Sequence, residues 1–195
     1  MAHAIPIGDR HSDVALMEVL VRLWQTKQKS IAVLEKWLLK TADIEIKMGL
    51  KSQLTDERRQ IHILDDEIKR FGGLASTAAR ENALDRPFAI VLSQPNDALR
   101  LTAFHRGIKV FSVDRCGHLI PLVESRLARV LEQMARDDER HVPWADIRLA
   151  RTQGIEEQRQ RSVLQRRVLD ALETAWTRPW TQLARRRFAA PPAWR

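Results

Sequence analysis

The chain has 195 residues, of which 44% are hydrophobic, and carries a net charge of +8 with a pI of about 10.3. That length makes one domain, or one domain with an appendage, and the apolar content is ample for a core. No run of about 18 apolar residues occurs, which excludes a membrane span, and the lone Cys116 excludes a disulfide framework.

The N-terminus, Met1 to Asp13, has no basic region followed by an apolar stretch, so no secretory signal is read and the expected location is the cytoplasm. Met1 to Arg10 reads as a loose terminus. Ser12 is the expected cap of a first helix reaching about Leu39, with a stripe of Met17, Leu20, Val21, Trp24, Ile31, Leu34 and Leu38. Gln28 lies on that stripe. After a short break, with Thr41 as the expected cap, a second helix covers about Asp43 to Arg70. Its stripe is Ile46, Leu50, Leu54, Glu57, Ile61, Leu64 and Ile68, and it stops at Gly72-Gly73. The short break makes the first two helices antiparallel neighbours.

Residues 72–95 are a long connection that holds a short helix at Pro87–Leu92, with proline in its first turn. Asn96 or Asp97 caps a third helix to about Ile120, with a stripe of Leu101, His105, Ile108, Ser112, Cys116 and Leu119 and with Lys109 at its edge. Pro121 ends it. The fourth helix, about Val123 to Ala150, carries Leu127, Leu131, Met134, Asp138, His141 and Ala145 inward, and Pro143 is expected to kink it and free a carbonyl. Gly154 closes the bundle. Ile155 to Trp176 reads as an Arg-rich fifth helix with Val163, Leu164, Val168, Leu172 and Trp176 on one side. The tail from Pro179 to Arg195, with Trp180, Phe188 and Trp194, is expected to be an extended arm that packs on the bundle or a partner. The division is therefore 1–154 for the bundle and 155–195 for the helix and arm.

Charge is uneven. Residues 151–195 hold ten Arg against four Asp or Glu, an excess of six out of the total of eight. Binding of nucleic acid through this region is one reading. Of the other chemical motifs, Cys116 and His118 stand two apart on a helix and do not face each other. The chain has no Gly-rich phosphate loop, no Cys-x-x-Cys and no G-x-S-x-G.

One internal correspondence stands out. Shifted by 81 residues, Thr55-Asp56-Glu57-Arg58-Arg59-Gln60-Ile61 falls on Arg136-Asp137-Asp138-Glu139-Arg140-His141-Val142, matching Asp56 to Asp137, Arg59 to Arg140 and Asp65 to Asp146. Glu57 meets Asp138, and Gln60 meets His141. Each pair places a carboxylate and an amide or imidazole three residues apart, on one helical face. Asp138-x-x-His141 resembles the Glu-x-x-His motif of ferritin-like four-helix dimetal proteins, and Glu57-x-x-Gln60 has the same shape without the histidine.

That resemblance, which covers about residues 13–150, implies an all-α, ferritin-like four-helix bundle. A long crossover would join helices 2 and 3, and the C-terminal helix and arm would be added. It implies ligand positions at Gln28, Glu57, Gln60, Lys109, Asp138 and His141, since the same offset pairs Gln28 with Lys109. The family pattern wants four carboxylates and two histidines; two carboxylates and one histidine stand here. Two divalent ions would lack counter-charge, so Lys109 is expected to bridge Glu57 and Asp138 in place of metal. Gln28 and Gln60 would hydrogen-bond the remaining oxygens, with His105 as an outer partner. The expected cofactor is none. The alternative is one or two Fe, Mn or Zn ions, a single ion being held by Glu57, Asp138 and His141. Radical chemistry of the family's tyrosine-bearing kind is excluded, as the chain has no tyrosine. The resulting expectation is a metal-free, non-catalytic structural or interaction module, a homodimer without membrane association. The alternatives are a divergent metal-binding oxidoreductase and a nucleic-acid binder.

Overall fold

The computed structural model describes residues 10–73, 82–151 and 154–188, and all their regular structure is helical. The helices are α1 (Arg10–Lys40), α2 (Ile44–Arg70), a short α3 (Asp85–Leu92), α4 (Asp97–Leu101), α5 (Val110–Leu119), α6 (Ser125–Leu149) and α7 (Ile155–Phe188). A π-helical stretch, Thr102–Lys109, joins α4 to α5, so residues 97–119 form one composite rod.

Local chemistry sets the ends. Asp43 caps α2, its carboxylate accepting from the Glu45 and Ile46 amides at 2.8 and 3.1 Å. Thr41, the expected cap, instead donates its hydroxyl to Asp97 at 2.5 Å. α2 ends where Gly72 takes a φ of +79, the left-handed conformation that glycine adopts without a Cβ penalty. Asn96 caps α4 by accepting from the Leu99 amide at 2.9 Å. α1 begins at Arg10, so Ser12 lies inside the helix and is not its cap. α6 runs on through Pro143.

Paired contacts fix the directions. Glu45 meets Arg148 and Gln60 meets Asp137, while Glu67 meets Arg126; α2 and α6 are therefore antiparallel. Gln53 meets His105 and Glu57 meets Lys109, so α2 and the composite rod run parallel. Between α2 and α4 in the chain, α3 packs against α1 and α7.

The core is continuous across all these layers. Leu20, Leu23, Leu34, Trp37, Leu50, Leu64, Phe104, Leu131, Val168, Leu172 and Trp176 belong to one buried cluster. α7 lies along α1, α3 and the π-helical stretch, burying Leu164, Val168, Leu172, Trp176 and Leu183. Two expectations fail here. The segment after Pro179 is not an extended arm: helix α7 continues through Pro179 to Phe188, and residues 189–195 lie outside the described residues. Val163 does not join the apolar side but is 56% exposed. The apolar face of α7 is completed by Ala171 and Ala175, residues small enough to let the helix sit close. α7, beyond residue 154, shares one buried cluster with the helices before it. Among the described residues no helix is long and apolar enough to cross a membrane.

Candidate functional site

Four charged side chains meet in the middle of the bundle, each from a different rod. Lys27 comes from α1, Glu57 from α2, Lys109 from the π-helical stretch and Asp138 from α6. All are at most 2% exposed. Lys109 Nζ contacts Glu57 Oε1 and donates to Asp138 Oδ1 at 2.6 Å. Lys27 Nζ donates to Asp138 Oδ2 at 2.6 Å and lies 3.6 Å from Glu57 Oε1. Two ammoniums thus face two carboxylates, and the set closes at zero charge. Burial pulls the Lys109 ammonium down to about 8 against the attraction of Asp138. Burial also acts to raise the Asp138 carboxyl, but Lys109 and Lys27 outweigh it and hold it below the usual carboxylate range.

The sequence pattern places Glu57, Lys109 and Asp138 together, and so does the structure. Gln28 is the failure. It is exposed on α1, and Lys27 points inward in its place. The signal was present in the sequence: Leu16, Leu20, Leu23, Lys27, Ser30, Leu34 and Trp37 recur at spacings of four and three, and all seven are buried. Gln28 stands about 100° around the helix from that line.

A second layer lies beside the first. Asp137, also buried, accepts at Oδ2 from Arg59 (2.7 Å) and Gln60 (3.3 Å), and at Oδ1 from Gln133 (2.9 Å) and Arg140 (2.8 Å). Burial acts to raise its carboxyl, yet Gln60 and the two arginines hold it below the ordinary range. Arg59 also donates to Asp56 at 2.8 Å. Asp56 with Asp137 and Arg59 with Arg140 are two of the three pairs that the internal correspondence matches as identical, and the four form a second neutral quartet. Gln60 therefore serves Asp137 and not, as expected, the carboxylates beside Lys109.

His105 and His141 are neutral. Burial, with Lys109 next, pushes His141 down to about 3, and its Nε2–H donates to Asp56 at 3.1 Å. Its Nδ1 lies 4.0 Å from Asp138. Burial likewise pushes His105 down to about 3; its Nε2 pairs with Gln53 at 2.9 Å, and its Nδ1 lies 3.3 Å from the Leu101 carbonyl. Three buried acceptor atoms here have no hydrogen-bond partner: Glu57 Oε2, Gln60 Oε1 and His141 Nδ1. Cys116 is buried, and burial raises its thiol to about 12, which makes it inert as a nucleophile.

The π-helical stretch sets the position of Lys109. A π turn holds more residues than an α turn, which carries Lys109 from the edge of an α-helical stripe into the core. α7 supports this stretch. Gln165 donates to the Arg106 carbonyl at 3.1 Å, and Gly107 lets Val168 approach so closely that a Cβ there would meet it at 2.6 Å.

Compared with protein-family models, characterised proteins and solved structures, the chain matches none. Among the described residues no group of three or more His, Cys, Asp or Glu is arranged to hold a metal ion.

Proposed function

We propose that this chain is a ferritin-like four-helix protein whose dimetal core has been exchanged for a lysine–carboxylate centre, and that it acts as a structural or interaction module rather than as an enzyme. The observation that carries this reading is the engagement of both candidate ligand carboxylates, Glu57 and Asp138, by Lys27 and Lys109. Two divalent ions added to a set already at zero charge would leave about four uncompensated charges in a low-dielectric core. The residues present do not fit the dimetal group of the resembled family. A single ion at Glu57, Asp138 and His141 would have to displace two ammoniums, against the same cost.

As a module, the protein presents apolar groups at one end of the bundle. Ile44 and Met48 at the start of α2 and Ile147 near the end of α6 are all more than half exposed. They are the contacts through which we infer self-association or partner binding.

Elemental analysis of protein expressed with iron, manganese and zinc supplied tests this reading. Metal far below one equivalent supports it. One or two tightly held equivalents overturn it and restore the metal-binding oxidoreductase. A second reading draws on Arg159, Arg166 and Arg167, which share an exposed face of α7. A shift of DNA or RNA that weakens steeply with salt and disappears when these three become Ala would favour it.

A further inference from the structure

The centre contains the parts of an amide-forming site. A primary amine, Lys109 Nζ, is in direct contact with a carboxyl group, Glu57. A second carboxylate, Asp138, stands 2.6 Å from the same nitrogen. A second ammonium, Lys27, lies 3.6 Å from Glu57 Oε1. All four are buried, so hydrolytic competition from bulk solvent is absent.

We propose that Lys109 and Glu57 condense into a side-chain amide that cross-links α2 to the composite rod, with Asp138 carrying the proton. Transfer of a proton from the Lys109 ammonium, whose hold on it burial weakens, to Glu57 gives a neutral amine and a carboxylic acid. Nζ attacks Cδ of Glu57, and the N–C bond forms. Asp138 Oδ1 takes the proton that the nitrogen sheds and delivers it to the departing oxygen. The C–Oε2 bond breaks and one water leaves. No oxidant, reductant or cofactor is consumed. Lys27 faces Oε1, where negative charge develops in the tetrahedral intermediate, and stabilises it there.

Two features of the geometry single out this pair. Glu57 Oε2 is the oxygen without a hydrogen-bond partner, so its departure breaks no interaction. The reaction also removes two of four buried charges and leaves Lys27 paired with Asp138, so the centre stays neutral while its desolvation cost falls.

The inference rests on the metal-free reading of this core, and its test is separable from that one. The full-length protein is denatured and its intact mass measured, then digested with trypsin. The expected result is a chain lighter by one water than its sequence requires, and a branched peptide joining residues 52–58 to residues 107–115. Lys109→Arg keeps the charge and restores the full mass. Asp138→Asn lowers the linked fraction about tenfold or more at equal times, as loss of a proton carrier does. Wild-type protein of full mass overturns the proposal, as does a branch at Lys27. A metal-free protein of full mass overturns the cross-link alone, while metal at full mass overturns both readings.

Discussion

Lys27 and Lys109 hold opposite oxygens of one carboxylate: each donates to Asp138 at 2.6 Å, Lys27 to Oδ2 and Lys109 to Oδ1. The aspartate is thereby a strut between the first helix and the composite rod, its charge held by an ammonium at each end.

Removing the Lys27 ammonium leaves the buried Asp138 carboxylate without the partner on its Oδ2 side. Lys27→Met is expected to cost about 3–5 kcal/mol, the usual penalty for an uncompensated buried charge. Adding Asp138→Leu removes the orphaned charge and leaves Lys109 with Glu57, so the double variant should be more stable than Lys27→Met alone. Urea unfolding of the wild type, Lys27→Met, Asp138→Leu and the double variant gives the comparison; strictly additive losses would show that these charges do not act as a set.

Acid should weaken the fold well before its carboxylates titrate. His105 and His141 remain neutral in the folded chain down to about pH 3, whereas in the unfolded chain they charge near 6.5. Between those limits the unfolded state binds more protons, so stability rises with pH, by about 1.4 kcal/mol per unit for each histidine. The lowered Asp137 and Asp138 act in the same direction, their contribution being lost as pH falls below their unfolded range. Denaturation midpoints between pH 4 and 7 should show this slope, and His105→Gln should reduce it by about half.

Gly107 is a contact position. A methyl group there meets Val168, whose branched side chain is stiff. Gly107→Ala is expected to destabilise by about 1–3 kcal/mol through overpacking. Val168→Ala should recover part of that loss in the double variant, a positive coupling measurable by thermal or chemical denaturation.

Trp176 tests whether α7 belongs to the core. It is buried and meets Phe111 edge to face with centroids 5.9 Å apart. Trp176→Ala should cost about 3–5 kcal/mol, and the unfolding transition should remain single. Two transitions, with the bundle unaffected, would mark α7 as a separate unit.

The helices α2 and α6 were legible because each has one buried face. Glu57, Gln60, Asp138 and His141 interrupt clear apolar stripes, and an interrupted stripe is informative. α1 offered no such contrast. Val19 to Lys27 are buried on every side, against α2, α3 and α7, so hydrophobicity alone allowed two stripes one residue apart. Gln28 came from one and Lys27 from the other. Asp137 was visible as a repeated residue but carried no assigned role. Its partners Arg59 and Arg140 are about half exposed or more, and nothing in the pattern shows that their guanidinium groups turn inward. The π-helical stretch left no trace in the residue spacing, which assumes α-helical turns throughout.

That stretch has a consequence for chain length. The surplus residue taken up between Leu101 and Val110 can be deleted without breaking the rod, because the segment can close into ordinary α-helical hydrogen bonding. The Arg106 carbonyl would then retract from Gln165, and the shallow seat for Val168 would fill. A single-residue deletion here is expected to leave the scaffold helical, to slide the C-terminal layer across it and to turn Lys109 back toward the edge of its stripe, away from Glu57 and Asp138.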